Sequence, residues 1–241
     1  MHNVGATRAH AGIALMISKS LLPRLIELKR RRFFVYWFRE NGRTFPWRAG
    51  DVSPFQLMIT EMLLRQTRAG HVEKMWSRFF ERFANFEAIE RATEADLFSE
   101  VRILGFGNQR AHALKHAARF VLENYAGRVP HTPDGLLAVP HLGNYSARAI
   151  LCFAFGERVE IVDTNVLRLF SRYFGLPLKP DIRRAPEAWQ IAQSLLPRTR
   201  MLARDHNYGI LDFTADICKP GRPLCQVCPV QRSCSFGQNQ F

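Results

Sequence analysis

The chain has 241 residues, 47% of them hydrophobic, enough to bury a core in one large domain or two packed ones. Lys and Arg outnumber Asp and Glu by 34 to 21, giving a net charge of +13 and a pI near 10.2; the partner expected from that balance is a polyanion, nucleic acid first. No stretch reaches the roughly 18 consecutive apolar residues of a membrane span, and "MHNVGATRAHAGIALMISKS" lacks signal-peptide order, so this segment reads as an extension and the chain as cytoplasmic, alongside the nucleoid.

The pattern that follows is helical nearly throughout. "SLLPRLIELKRRRFFVYWFREN" reads as one basic amphipathic helix after Pro23. "TFPWRAGDVSPF" is a loop broken by Pro46 and Pro54. "FQLMITEMLLRQT" has apolar residues at 55, 58, 59, 62 and 63, a helix face, with Leu57 and Leu64 covering the other side. "HVEKMWSRFFERF" and "FEAIERA" are further helices, and "TEADLFSEVRIL" opens in capping-box order with Thr93 and Asp96. "GFGNQRAHALKHAARFVLENYAG" starts at a glycine turn and stops at Gly127. "TPDGLLAV", "NYSARAILCFAF", "DTNVLRLFSRYFG", "APEAWQIAQSLLP" and "RDHNYGILDFTADIC" complete the series. "RVEIV" is too isolated to argue for a sheet.

Four places carry chemistry. Cys218, Cys225, Cys228 and Cys234 crowd "CKPGRPLCQVCPVQRSC"; four thiolates in one short loop suit a soft metal centre, and spacing alone leaves structural zinc and an iron–sulfur cluster both open. Cys152, on an apolar helix, reads as a core residue. In "VPHLGNYSA" Gly143 is expected to take the positive φ of a tight turn, and the N–H groups of the turn and next helix form an anion site fit for a DNA phosphate. Glu61 lies in the apolar run "LMITEMLL", where desolvation raises a carboxyl's pKa and makes a general acid available near neutral pH; the plainer reading is an ion pair with Arg65. Asp163 in "EIVDTNVLR" stands at an N-cap, where the helix dipole keeps a carboxylate ionised.

Together these residues resemble the helix-hairpin-helix DNA glycosylases of the endonuclease III and MutY superfamily, in the family's order from about Phe45 to Cys234. The resemblance is carried by "FPWR", "TEMLLRQT", "VPHLGNYSA", "IVDTNV" and the cysteine gaps, which match the family's [4Fe–4S] loop and favour iron–sulfur over zinc. It implies an all-α fold. A helical barrel carrying the hairpin spans 48–157, and a cluster domain spans 158–241, packed with an N-terminal segment 1–47. It also implies double-stranded DNA as partner, bound by a monomer in a cleft between the two, with the target base flipped out of the stack.

Residue by residue, the resemblance makes Asp163 the carboxylate that stabilises the sugar cation and Glu61 the carboxyl in the base pocket. Gln66 fills the hole left by the base, Phe106 wedges between base pairs, and Asn165 anchors the DNA backbone. His141, Leu142, Gly143, Asn144 and Tyr145 form the hairpin, whose N–H groups take a phosphate and whose carbonyls hold a monovalent cation. His141 stands where the family has glycine. Lyase members carry a lysine at the position of Tyr145; tyrosine there is similar to the Mig-type G·T mismatch glycosylases and implies an enzyme that leaves an abasic site. The reading is a monofunctional glycosylase for thymine or uracil opposite guanine. MutY proteins continue into a domain that reads 8-oxoguanine; the sequence here ends seven residues after Cys234, and the expectation is therefore thymine or uracil rather than adenine as the target. The alternatives are an adenine glycosylase without that domain and a non-catalytic DNA-binding protein on the same scaffold.

Overall fold

Every regular element among the described residues is helical. The computed structural model describes residues 21–30, 32–177, 181 and 185–239; the N-terminal extension, residues 1–20, lies outside them. Among the described residues no helix is long and apolar enough to cross a membrane.

Thirteen α-helices are described: α1 Leu22–Arg30, α2 Phe33–Asn41, α3 Pro54–Leu63, α4 Ala69–Arg82, α5 Phe86–Arg91, α6 Glu94–Val101, α7 Gly107–Tyr125, α8 Pro133–Ala138, α9 Asn144–Phe153, α10 Thr164–Phe174, α11 Pro186–Leu195, α12 Arg200–Asp216 and α13 Ser235–Gln238. The single helix expected after Pro23 is two. Arg32 sits in the left-handed region at φ 46°, which turns the chain between α1 and α2, and Pro23 lies in the first turn of α1, where a missing N–H costs no bond.

The chain divides into two compact units. The first holds the described residues up to Arg43 together with those from Arg158 onward; the second is Thr44–Glu157. The first boundary thus precedes the expected 47/48 division. The reason is local: Trp47 is buried, stacks on Phe45 at 4.6 Å, and the Pro46–Arg48 turn packs on α3 and α4.

In the first unit α2 lies along α12. Gly209 permits the approach, since a Cβ there would run into the Phe34 carbonyl oxygen. Phe34, Phe170, Tyr173, Ile191 and Phe213 fill the core between α1, α2 and α10–α12. Arg43 closes the end of α2 by pairing with the fully buried Asp212 of α12 at 2.7 Å.

In the second unit α7 is the longest helix, and α5 and α6 pack on it. Thr93 and Asp96 form the expected capping box of α6. A second capping box, at α3, joins Ser53 and Gln56, with Pro54 in the first turn. At α7's end Ala126 and Gly127 are left-handed, the stop read from the glycine.

Candidate active site and cysteine loop

In α3 all residues from 57 to 63 are buried, Glu61 among them. Burial pushes the Glu61 carboxyl from 4.5 up to about 8, and the Arg48 charge pulls it back only in part. The group is therefore protonated at neutral pH. Arg65 does not serve as its partner in the way the i, i+4 spacing suggests; its Nη1 donates to the His141 carbonyl at 2.6 Å. Tyr145, half-buried, lies in the first turn of α9, and α9 packs on α3.

The hairpin is the turn between α8 and α9. Its positive φ falls on His141, at 66°, and not on Gly143, which is extended at φ −110° and ψ 177°. The glycine expectation is thus corrected by one concrete fact: the bend is completed two residues earlier, and Gly143 serves as N-cap of α9. Leu142 is buried under the turn, while His141, Gly143 and Asn144 are exposed.

Gln66, Phe106 and His141 line one cavity of about 270 Å³, with Arg65, Arg110 and Leu114. All three of the first-named residues are left-handed, Gln66 at φ 52° and Phe106 at φ 55°. For non-glycine residues such geometry costs about 1–3 kcal/mol each and persists only where neighbours enforce it. Arg110 does the enforcing. It is buried on α7 and donates to the carbonyls of Met62, Leu63, Arg65 and Gly105, tying the end of α3 to the loop before α7. Phe106 is left 62% exposed.

Asp163 is the N-cap of α10: Oδ1 accepts from the Val166 N–H and Oδ2 from the Asn165 amide, both at 2.7 Å. Asn165, expected at a DNA backbone, uses both ends of its amide within the protein, since its Oδ1 accepts from Arg168 at 2.8 Å. Arg168 in turn donates to the carbonyls of Thr214 and Cys218. A single hydrogen-bonded chain thus runs from Asp163 to the first cysteine of the loop.

Cys218, Cys225, Cys228 and Cys234 line one apolar cavity with Leu169, Phe213 and Phe236, and no disulfide joins them. Burial pushes the thiols of Cys225 and Cys234 up, and that of Cys228 to about 11; only a bound positive centre would keep such groups as thiolates. Arg172 braces the loop, donating to the Lys219 and Gly221 carbonyls and to Cys218 Sγ at 3.7 Å.

Arg48, Arg110 and Arg168 had no assigned role in the sequence. Arg110 carries a legible signal, sharing a face at helical spacing with buried Leu114, Ala117 and Val121: a charge on an apolar face must find partners.

The family described as "HhH-GPD superfamily base excision DNA repair protein" matches residues 59–193. The thymine/uracil-DNA glycosylase of Methanothermobacter thermautotrophicus is 37% identical over 213 residues, 86% of this chain and 95% of that protein. The thymine-DNA glycosylase of Aeropyrum pernix is 32% identical over 216 residues, 89% of this chain and 96% of that one. A solved thermostable thymine-DNA glycosylase superposes with a TM-score of 0.81 at 36% identity, covering 88% of this chain and 98% of its own. With buried Glu61, the α8–α9 hairpin and the capping Asp163 in place, the chain belongs to the HhH-GPD superfamily of base excision DNA repair proteins.

Proposed function

We propose that the protein is a monofunctional DNA N-glycosylase that removes thymine or uracil mispaired with guanine and leaves an abasic site. The observation that carries the reading is the state of Glu61. A carboxyl held protonated at neutral pH is a proton donor, and the departing base needs a proton. In this scheme the N-glycosidic bond breaks, Glu61 protonates the leaving base, water adds to the sugar carbon and loses a proton to solvent, and Glu61 takes a proton back from solvent. The Asp163 carboxylate, oriented by Asn165 and the Val166 N–H, stabilises the cationic sugar by electrostatics set before the reaction. Tyr145 has no amine, so no Schiff base forms and the strand stays intact. Two relatives named for thymine or thymine and uracil support the choice of base.

DNA is the substrate class. Exposed Phe106 is suited to wedge between base pairs, Gln66 to enter the vacated space, and the N–H groups from His141 to Tyr145 to meet a phosphate. A monovalent cation at the hairpin would share carbonyls that already have donors, His141 with Arg65 and Gly143 with the Ala147 N–H. Cys218, Cys225, Cys228 and Cys234 would hold a [4Fe–4S] cluster. When bound, its iron supplies the charge that keeps the four thiolates together.

The test offers labelled duplexes with G·T, G·U, A·8-oxoguanine and G·5-methylcytosine. Release from G·T and G·U, with strand breaks only after alkali, supports the reading. Adenine release alone, or breaks without alkali, contradicts it.

A further inference from the structure

Three histidines meet at the hairpin, and the repair reading gives their imidazole rings no task. His112 and His116 lie one turn apart on α7, and His141 comes from the α8–α9 turn. One ring nitrogen from each lies within 4.8 Å of the other two, and all three side chains are exposed. The rings face one another edge-on or tilted, none stacked, with centroids 5.5–6.1 Å apart.

Two distances give the cluster the form of a metal site. His116 Nδ1 and His141 Nε2 are 3.4 Å apart, long for a hydrogen bond but equal to the edge of about 3.4 Å between nitrogens bound tetrahedrally at about 2.0–2.1 Å. His112 Nδ1 faces Glu94 Oε1 at 3.2 Å. A carboxylate accepting from one ring nitrogen sets the tautomer and leaves the lone pair on the other, the usual support of a histidine ligand. The Arg65 guanidinium, a nearby charge that would oppose a bound cation, is held on the His141 carbonyl at 2.6 Å.

We propose that His112, His116 and His141 bind a divalent late first-row metal ion of the zinc class, supported by Glu94. Imidazole suits such ions, and three protein ligands leave a fourth position open to solvent. The ion joins the hairpin turn to α7 and explains why a left-handed position carries histidine. An anionic oxygen fits the open position.

The test titrates Zn²⁺ into the intact, cluster-bearing protein after brief chelation, by calorimetry, while visible absorbance checks that the cluster is unchanged. The proposal expects one equivalent bound, more than about 100-fold weaker in His116→Ala and about 10-fold weaker in Glu94→Gln. His141→Gly keeps the fold, because glycine accepts φ 66° without strain, and also loses the ion. Absence of binding by the wild type, or wild-type affinity in His116→Ala and His141→Gly, overturns it. No DNA enters the measurement, so its outcome is independent of the glycosylase reading.

Discussion

The Asn165 amide donates to the Asp163 carboxylate at 2.7 Å and accepts from Arg168 at 2.8 Å. The residue after a helix cap is thereby made into the clamp on that cap. Asn165→Ala should slow base release about tenfold with little change in KM, because it loosens a carboxylate that acts on the transition state. Single-turnover kinetics on a G·T duplex checks it; an effect confined to KM would assign Asn165 to DNA contact instead.

Glu61 governs the pH profile of the reaction. As a proton donor with a pKa near 8, it should make base release decline as pH rises through 8. Glu61→Gln should be about 10²–10⁴-fold slower and lack that limb. Rates measured from pH 6 to 9 decide the point.

The same carboxyl shapes stability. Its folded pKa is raised, so between 4.5 and about 8 the folded state holds a proton that the unfolded state has lost, and stability falls as pH rises. His206 acts in the opposite sense. Burial lowers it from 6.5 to about 3, so stability falls as pH drops through that window. Each contributes a slope of about 1.4 kcal/mol per pH unit, and the two offset each other between 4.5 and 6.5. Urea unfolding across pH should show Glu61→Gln gaining on the wild type up to pH 8, and a constant difference would contradict the assignment.

Arg110 holds four carbonyls around the Gln66–Phe106–His141 cavity. Arg110→Met strands those carbonyls and should cost about 3 kcal/mol or more. Denaturation midpoints measure this, and duplex affinity should fall with it.

Gly209→Ala places a methyl group against the Phe34 carbonyl and forces α2 from α12. The expected loss is about 1–3 kcal/mol, read from thermal unfolding, with little effect on the hairpin turn.

Much of this was legible in the sequence where one local rule dominates. Apolar periodicity placed α3 and α10, the Thr93–Asp96 pair capped α6, and an acid within an apolar run announced the raised pKa of Glu61. The break at Arg32 was not legible, since it puts a side chain where glycine is the default and only surrounding contacts hold it there; local pattern put the bend on Gly143, and only the resemblance, with its glycine at the position of His141, pointed to the right residue. The partners of Arg168 at Thr214 and Cys218 lie about 50 residues away in sequence, beyond any local pattern.

The central claim is tested most directly by mass spectrometry of free base released from a G·T duplex, with wild type and Asp163→Asn in parallel. The account predicts free thymine and an abasic strand that breaks only in alkali, with release at least about 10²-fold slower in the variant while duplex binding persists. Equal thymine release by Asp163→Asn, or none by the wild type, would contradict it.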